Sequence, residues 1–220
     1  EHIKAINYVA KQALEEAGKT FNDIELIAVT KGPGLVGALL VGMSFAKGVS
    51  AALDIPIIGV NHMEGHICAN YLQYKELEPP FISLVVSGGH SYLVDVKSYT
   101  DYHVIGRTRD DAAGESFDKV SRALGLGYPG GPAIQKASEK GNSEAIDFPR
   151  VMLEKDSYDF SFSGLKTAVL NYLNKEKMAG REINPFDVAA SFQASVNDVL
   201  VSKSVRLAKE KQRDKFVLSG

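Results

Sequence analysis

Two histidines in the run Asn61-His62-Met63-Glu64-Gly65-His66 stand four residues apart. On a helix that spacing places both side chains on one face, so the two imidazoles can reach one ion of the zinc or iron kind. A stable site needs a third or fourth ligand, and the sequence shows no obvious partner for the pair. Polar residues that merely cap or cover a helix start fit the same spacing. Glu64 is not where the general base of a His-Glu-x-x-His metalloprotease stands, which argues against a protease of that type.

A second candidate is Val85-Val86-Ser87-Gly88-Gly89-His90, a strand running into a two-glycine turn. Bare glycine backbone lets a ligand approach closely, and successive N–H groups in such a turn can cradle phosphate or carboxylate oxygens. A plain hairpin turn reads almost identically. A third cluster joins Asp110-Asp111-Ala112-Ala113-Gly114-Glu115-Ser116-Phe117-Asp118-Lys119 to Tyr128-Pro129-Gly130-Gly131-Pro132. Asp118 could accept hydrogen bonds from ribose hydroxyls, whereas acidic residues also gather at helix starts and Pro-Gly-Gly-Pro also makes a turn. In Asp159-Phe160-Ser161-Phe162-Ser163-Gly164-Leu165-Lys166-Thr167 the lysine and hydroxyls could hold a phosphate at a helix start, or the segment is a cap with its hydrophobic staple. Lys203, Arg206, Lys209, Lys211, Arg213 and Lys215 form a basic run that reads first as the solvated face of a helix and second as an RNA footprint.

These groups need elements to position them. Glu1 to Ala17 predicts an amphipathic helix, Glu25 to Thr30 a buried strand, and Ile57 to Val60 a second strand. Between the strands, Leu35 to Leu53 predicts a helix in which Gly37, Gly42 and Gly48 are tolerated only through tight packing against a neighbour. Strand, glycine turn, helix, strand is the order of an α/β lobe with parallel strands. Glu78-Pro79-Pro80 marks the linker, so residues 1–78 and 79–220 read as two lobes. Beyond it, Phe81 to Val86, Tyr92 to Val96 and Tyr102 to Gly106 predict an antiparallel meander. Helices are expected at Glu115 to Leu124 and Asp187 to Lys209, with an irregular stretch over 125–186.

With 25 basic and 27 acidic side chains the 220-residue chain carries a net charge of −2, and 45% of it is hydrophobic. This is a globular composition, which excludes disordered and fibrous classes. Any nucleic-acid contact must come from a local basic patch. One cysteine, Cys68, permits no internal disulfide, and no signal segment or apolar run of membrane length is apparent, so a cytoplasmic protein is expected, with no membrane partner. Glu1 begins in mid-helix and Lys215 to Gly220 ends on a strand lacking a successor, so the chain is expected to be the middle of a longer protein.

In order and spacing, KGPGLVGALLVG, NHMEGH, VVSGGHSYL, DDAAGESFDK, YPGGP and FSFSGLKTAV together resemble one family over essentially the whole chain: the tRNA adenosine threonylcarbamoyltransferases of the TsaD type, once called glycoprotease-like proteins. The resemblance implies a two-lobed α/β fold of the actin, sugar-kinase and Hsc70 (ribonuclease H-like) type, with a nucleotide-like ligand in the cleft between lobes. It implies transfer of a threonylcarbamoyl group from threonylcarbamoyl-adenylate to the exocyclic amine of the adenosine beside the anticodon of ANN-reading tRNAs. By motif, His62 and His66 become ligands of one divalent metal ion, iron favoured over zinc. Val85, Val86, Ser87, Gly88 and Gly89 line the acyl-adenylate, or ATP in its place, while Asp118 and Gly131 contact the nucleoside part. Gln135 stands where the family often has aspartate; it can hydrogen-bond a hydroxyl but adds no charge.

The resemblance also implies tRNA, a paralogous TsaB-like subunit and a TsaE-like ATPase as partners. Family members carry a further metal-ligand aspartate and a nucleotide-binding asparagine after the strand at which this chain stops, so the piece alone is expected to bind metal weakly and to be inactive. The competing readings are an ATP-dependent kinase of the same fold, a metalloprotease-like hydrolase, and a non-enzymatic scaffold. An acyl-adenylate already carries a good leaving group, so transfer needs mainly orientation and charge stabilisation, without a Ser-His-Asp set.

Overall fold

A computed structural model describes residues 1–152, 154 and 156–220. They form two compact units, Glu1–Leu72 and Gln73–Gly220, of mixed α/β construction as expected.

The first unit begins with helix α1 (His2–Glu16) and a short 3-10 turn, Phe21–Asp23. Strand β1 (Ile27–Gly32) pairs in parallel with β2 (Ile57–Asn61), from Ile27 opposite Ile57 to Thr30 opposite Val60, and α2 (Val36–Leu53) makes the crossover. A parallel pair needs such a crossover because a tight turn cannot join its ends. Helix α3 (His62–Gln73) leaves β2 at once.

Within this unit only Ala46, Met63 and Ile67 are buried among the described residues, and Leu35, Val36 and Leu40 are 81%, 71% and 60% exposed. The tight packing expected around the α2 glycines is therefore not found. A Cβ on Gly37 or Gly48 would meet nothing within 4 Å, and one on Gly42 only an ordinary contact at 3.7 Å with Val29 of β1. The expectation of no membrane-length apolar run is corrected too. α2 has the length and composition to cross a membrane, with Lys47 its single charge; one such helix is weak evidence of a membrane.

In the second unit β3 (Phe81–Val86), β4 (Ser91–Ser98) and β5 (Asp101–Arg107) form the expected meander. Strand β6 (Phe216–Ser219) adds in parallel beside β3, giving the order β5-β4-β3-β6. Helices α4 (Ala113–Ala123), α5 (Gly130–Ser138), α6 (Ser163–Met178) and α7 (Pro185–Glu210) accompany the sheet. One face of β3, through Ile82 and Leu84, joins a core with Val188, Phe192, Val196 and Val199 of α7, Val120 of α4, Ile134 of α5 and Leu165 of α6. α7 starts where its sequence says it should: Pro185 fills the first helical position, and the Asn184 carboxamide oxygen accepts the Phe186 N–H at 3.0 Å.

Residues 125–186 are less irregular than expected, because α5 and α6 both lie there. Neither helix carries its own side-chain cap. Asp118, from α4, accepts the Gly130 N–H at 2.7 Å, and Asp110 accepts the Phe162 and Ser163 N–H groups at 2.9 and 3.2 Å. Helix starts capped from elsewhere in the chain leave no local signature.

The basic run is not a solvated face throughout. Lys203 is 1% exposed and donates to the Ser157 and Asp159 carbonyls at 3.1 and 2.5 Å. Burial first, then the charge of Arg206, holds its ammonium below the ordinary lysine value. Arg206 donates to the Ser157 carbonyl at 2.6 Å and lies over the Tyr158 ring, while Arg213 grips the buried Asp95 carboxylate at 2.9 and 3.2 Å. Lys215 donates to the Glu78 carbonyl at 2.6 Å, so four of the six cations tie α7 and the connection after it to the rest of the unit.

Candidate functional site

Asn61, the last residue of β2, accepts the Met63 N–H at 2.8 Å and the Glu64 N–H at 3.4 Å through its side-chain oxygen. That bond starts α3 at His62 and fixes the helical phase, so His66 falls one turn further along the same face. The two Nε2 atoms converge to 3.2 Å, with ring centroids 4.5 Å apart. Two nitrogens each about 2.05 Å from one tetrahedral ion lie about 3.3 Å apart, so the pair fits two positions of a single metal. No group of three or more His, Cys, Asp or Glu able to hold an ion occurs among the described residues, so the imidazole pair offers two nitrogens and no third group beside them.

In the second unit the strand pair β3–β4 closes at Val86 opposite Ser91, and the Ser87 N–H donates to the His90 carbonyl at 2.8 Å. The Gly88-Gly89 tip is exposed, as in a plain hairpin. Its setting is not plain. Gly114, in the first turn of α4, lies so close that a Cβ there would be 2.5 Å from the Ser87 carbonyl oxygen and 2.8 Å from Gly88 Cα. A second bare contact joins α4 to α5: a Cβ on Gly130 would be 2.4 Å from Asp118 Cα. Two glycines thus stack turn, α4 and α5 backbone on backbone.

Val86, Gly114 and Gly131 share a cavity of about 1060 Å³, apolar on its α7 and β6 sides. Of the sequence candidates, Val86 and Gly131 therefore line one space, with Ser87 and Gly88 in contact with its wall at Gly114. Val85 is fully buried and points away from Val86 along the strand, leaving only its backbone available. Asp118 does not line the cavity; its Oδ1 is engaged with Gly130. Gln135 is exposed on α5 outside the cavity, and His62 and His66 belong to the first unit.

From the sequence, Lys166 and the serines near it fit either a phosphate site or a helix cap. Lys166 instead pairs with Asp111 at 2.8 Å, Lys119 takes the other oxygen of that carboxylate at 2.8 Å, and Asp110 occupies the α6 N-terminus. A carboxylate already satisfies the donors a phosphate would seek. Burial raises the Asp111 pKa, but its bonds to Lys119 and Lys166 outweigh that and hold the carboxyl below its ordinary value. What sequence reasoning missed is the role of Gly114. The available signal was a glycine inside the first turn of a helix, where neither capping nor propensity asks for one.

An α/β chain with a paired-imidazole helix and a glycine hairpin packed on helix backbone presents groups of the kinds that can meet a metal ion and a phosphate. The TsaD family, described as tRNA N6-adenosine threonylcarbamoyltransferase, matches residues 1–220, and the chain belongs to that family. Proteins named tRNA N6-adenosine threonylcarbamoyltransferase from Clostridium perfringens (strain SM101) and Clostridium botulinum (strain Hall) are each 59% identical over 220 residues, all of this chain and 65% of theirs. The chain thus spans about two thirds of the length of these relatives. Among solved structures, YeaZ from Pseudomonas aeruginosa shares 16% identity over 47% of this chain and 53% of its own, at a TM-score of 0.36, too slight a likeness to argue from.

Proposed function

We propose that the protein containing this chain transfers the threonylcarbamoyl group of threonylcarbamoyl-adenylate to the exocyclic amine of the adenosine beside the anticodon of ANN-reading tRNAs. The observation that carries the reading is the convergence of His62 and His66 to 3.2 Å in a chain that the family matches from end to end. The amine attacks the carbamoyl carbon, a C–N bond forms, the C–O bond to phosphate breaks, AMP leaves with the bonding electrons, and the amine loses a proton. His62 and His66 hold one divalent ion, iron in preference to zinc, with the remaining ligands outside this chain. Such an ion, when bound, polarises an oxygen of the acyl-adenylate or holds it in place.

The backbone from Val85 to Gly89 orients the acyl-adenylate, its exposed turn offering N–H groups where charge develops. Gly131 lies against the nucleoside part. Asp118 positions α5 through Gly130 and keeps its second oxygen for a ribose hydroxyl, and Gln135 offers a neutral hydrogen-bonding group one turn further on. The two-lobed arrangement of the actin, sugar-kinase and Hsc70 type is part of the same proposal, as are a cytoplasmic setting, a TsaB-like subunit and a TsaE-like ATPase. The exposed Leu35, Val36 and Leu40 of α2 support a protein partner on the first unit.

The test is transfer in vitro by the full-length protein from synthetic threonylcarbamoyl-adenylate to an ANN-reading tRNA transcript. Wild type is expected to form the modified nucleoside, and His62→Ala to lose at least a hundredfold in rate; full activity of the variant would overturn the reading.

A further inference from the structure

We propose that Gly114 and Ser91 are positioning residues that set the Ser87–Gly89 turn before substrate arrives. The inference rests on the reading that this turn carries the acyl-adenylate. Ser91, the first residue of β4, is fully buried, and its hydroxyl oxygen accepts the Ala113 N–H at 2.9 Å. Its carbonyl accepts the Thr108 N–H at 3.0 Å, so the residue is held from both sides. The next residue along α4 is Gly114, whose missing Cβ lets the helix lie directly on the Ser87 carbonyl and Gly88 Cα. The hydroxyl fixes the height of the helix and the glycine allows the contact.

A two-glycine tip is conformationally loose on its own. Pressing α4 against the Ser87 carbonyl selects one orientation of the Ser87–Gly88 peptide, and with it the direction in which the turn presents its N–H groups. Donors aimed before binding do not need to be ordered by the substrate, which lowers the apparent cost of binding and of reaching the transition state. Neither residue needs to touch the ligand for this to hold.

The experiment is steady-state transfer by the full-length protein, with KM measured separately for threonylcarbamoyl-adenylate and for tRNA, alongside melting temperature. Gly114→Ala is expected to raise the acyl-adenylate KM at least thirtyfold. Because its Cβ meets backbone, that variant can fail to fold, and Ser91→Ala decides the matter independently. Ser91→Ala is expected to raise the acyl-adenylate KM about tenfold with the tRNA KM unchanged, and Ser91→Thr, which keeps the acceptor, to restore it to within threefold. An unchanged acyl-adenylate KM in Ser91→Ala, or equal rises in both KM values, overturns the inference while leaving the transferase reading intact. Absence of transfer by wild type overturns the reading and the inference together.

Discussion

The two units solve the problem of burying apolar surface to very different extents. The second carries a continuous core in which Ile82, Leu93, Phe160, Phe192 and Val196 are wholly buried, while the first buries only Ala46, Met63 and Ile67 among the described residues. Yet the first unit holds the histidine pair and the second the turn and cavity. Hydrophobic burial is the main favourable term in folding, so the second unit can hold its site on its own packing. The first holds its pair by the Asn61 cap, the i, i+4 geometry of α3 and the burial of Met63 and Ile67 next to the two histidines.

The sharpest way to break that contrast is a matched pair of truncations. Phe192→Ala removes a fully buried ring from the second unit and is expected to cost about 3–5 kcal/mol in denaturant unfolding. Leu40→Ala trims a 60% exposed side chain on α2 and is expected to stay within about 0.5 kcal/mol. Comparable losses would mean that the first unit has a core of its own. Next in size is Arg213→Ala, which leaves the 1% exposed Asp95 carboxylate unpaired. The expected loss is about 3 kcal/mol, read from the same unfolding curves.

A smaller effect follows from pH. Burial raises the Asp159 pKa, but bonds from Arg109 and the Arg107 N–H outweigh it, and Asp111 is likewise held below its ordinary value by Lys119 and Lys166. A carboxylate depressed in the folded state contributes stability that is present above its unfolded pKa, about 4, and is lost as pH falls through the folded value. Acid unfolding should therefore steepen below about pH 4, and Asp111→Asn should flatten that limb by about 1 kcal/mol. An unaltered limb would mean that the two lysines do not hold the carboxylate in solution. The smallest effect on stability is expected from His62→Ala, within about 0.5 kcal/mol because the ring is only half-buried. The same change should abolish stoichiometric metal binding by the full-length protein, as measured by elemental analysis.

The contrast also explains what could be read from the sequence. Elements with periodic apolar faces or clear turn punctuation, such as the β3–β4–β5 meander and α7, were legible within a few residues. The α5 start was not, because Asp118 caps it from a distant position; the α6 start was legible within Asp159–Thr167, but its cap, Asp110, was not. Lys203 and Arg213 were misread for a related reason: a basic residue looks the same in sequence whether it meets water or a buried carbonyl or carboxylate. At the site, the histidine spacing and the glycine turn were legible because their chemistry is local. The contact of Gly114 on Ser87 was not, since it is a packing relation between residues 27 positions apart.

The most direct measurement is nucleoside mass spectrometry of bulk tRNA from cells lacking the endogenous protein and supplied with either the full-length protein or its His62→Ala variant. The account predicts threonylcarbamoyladenosine with the first and its loss with the second, at equal protein levels. Undiminished modification with the variant would contradict the assignment of the imidazole pair to the chemistry.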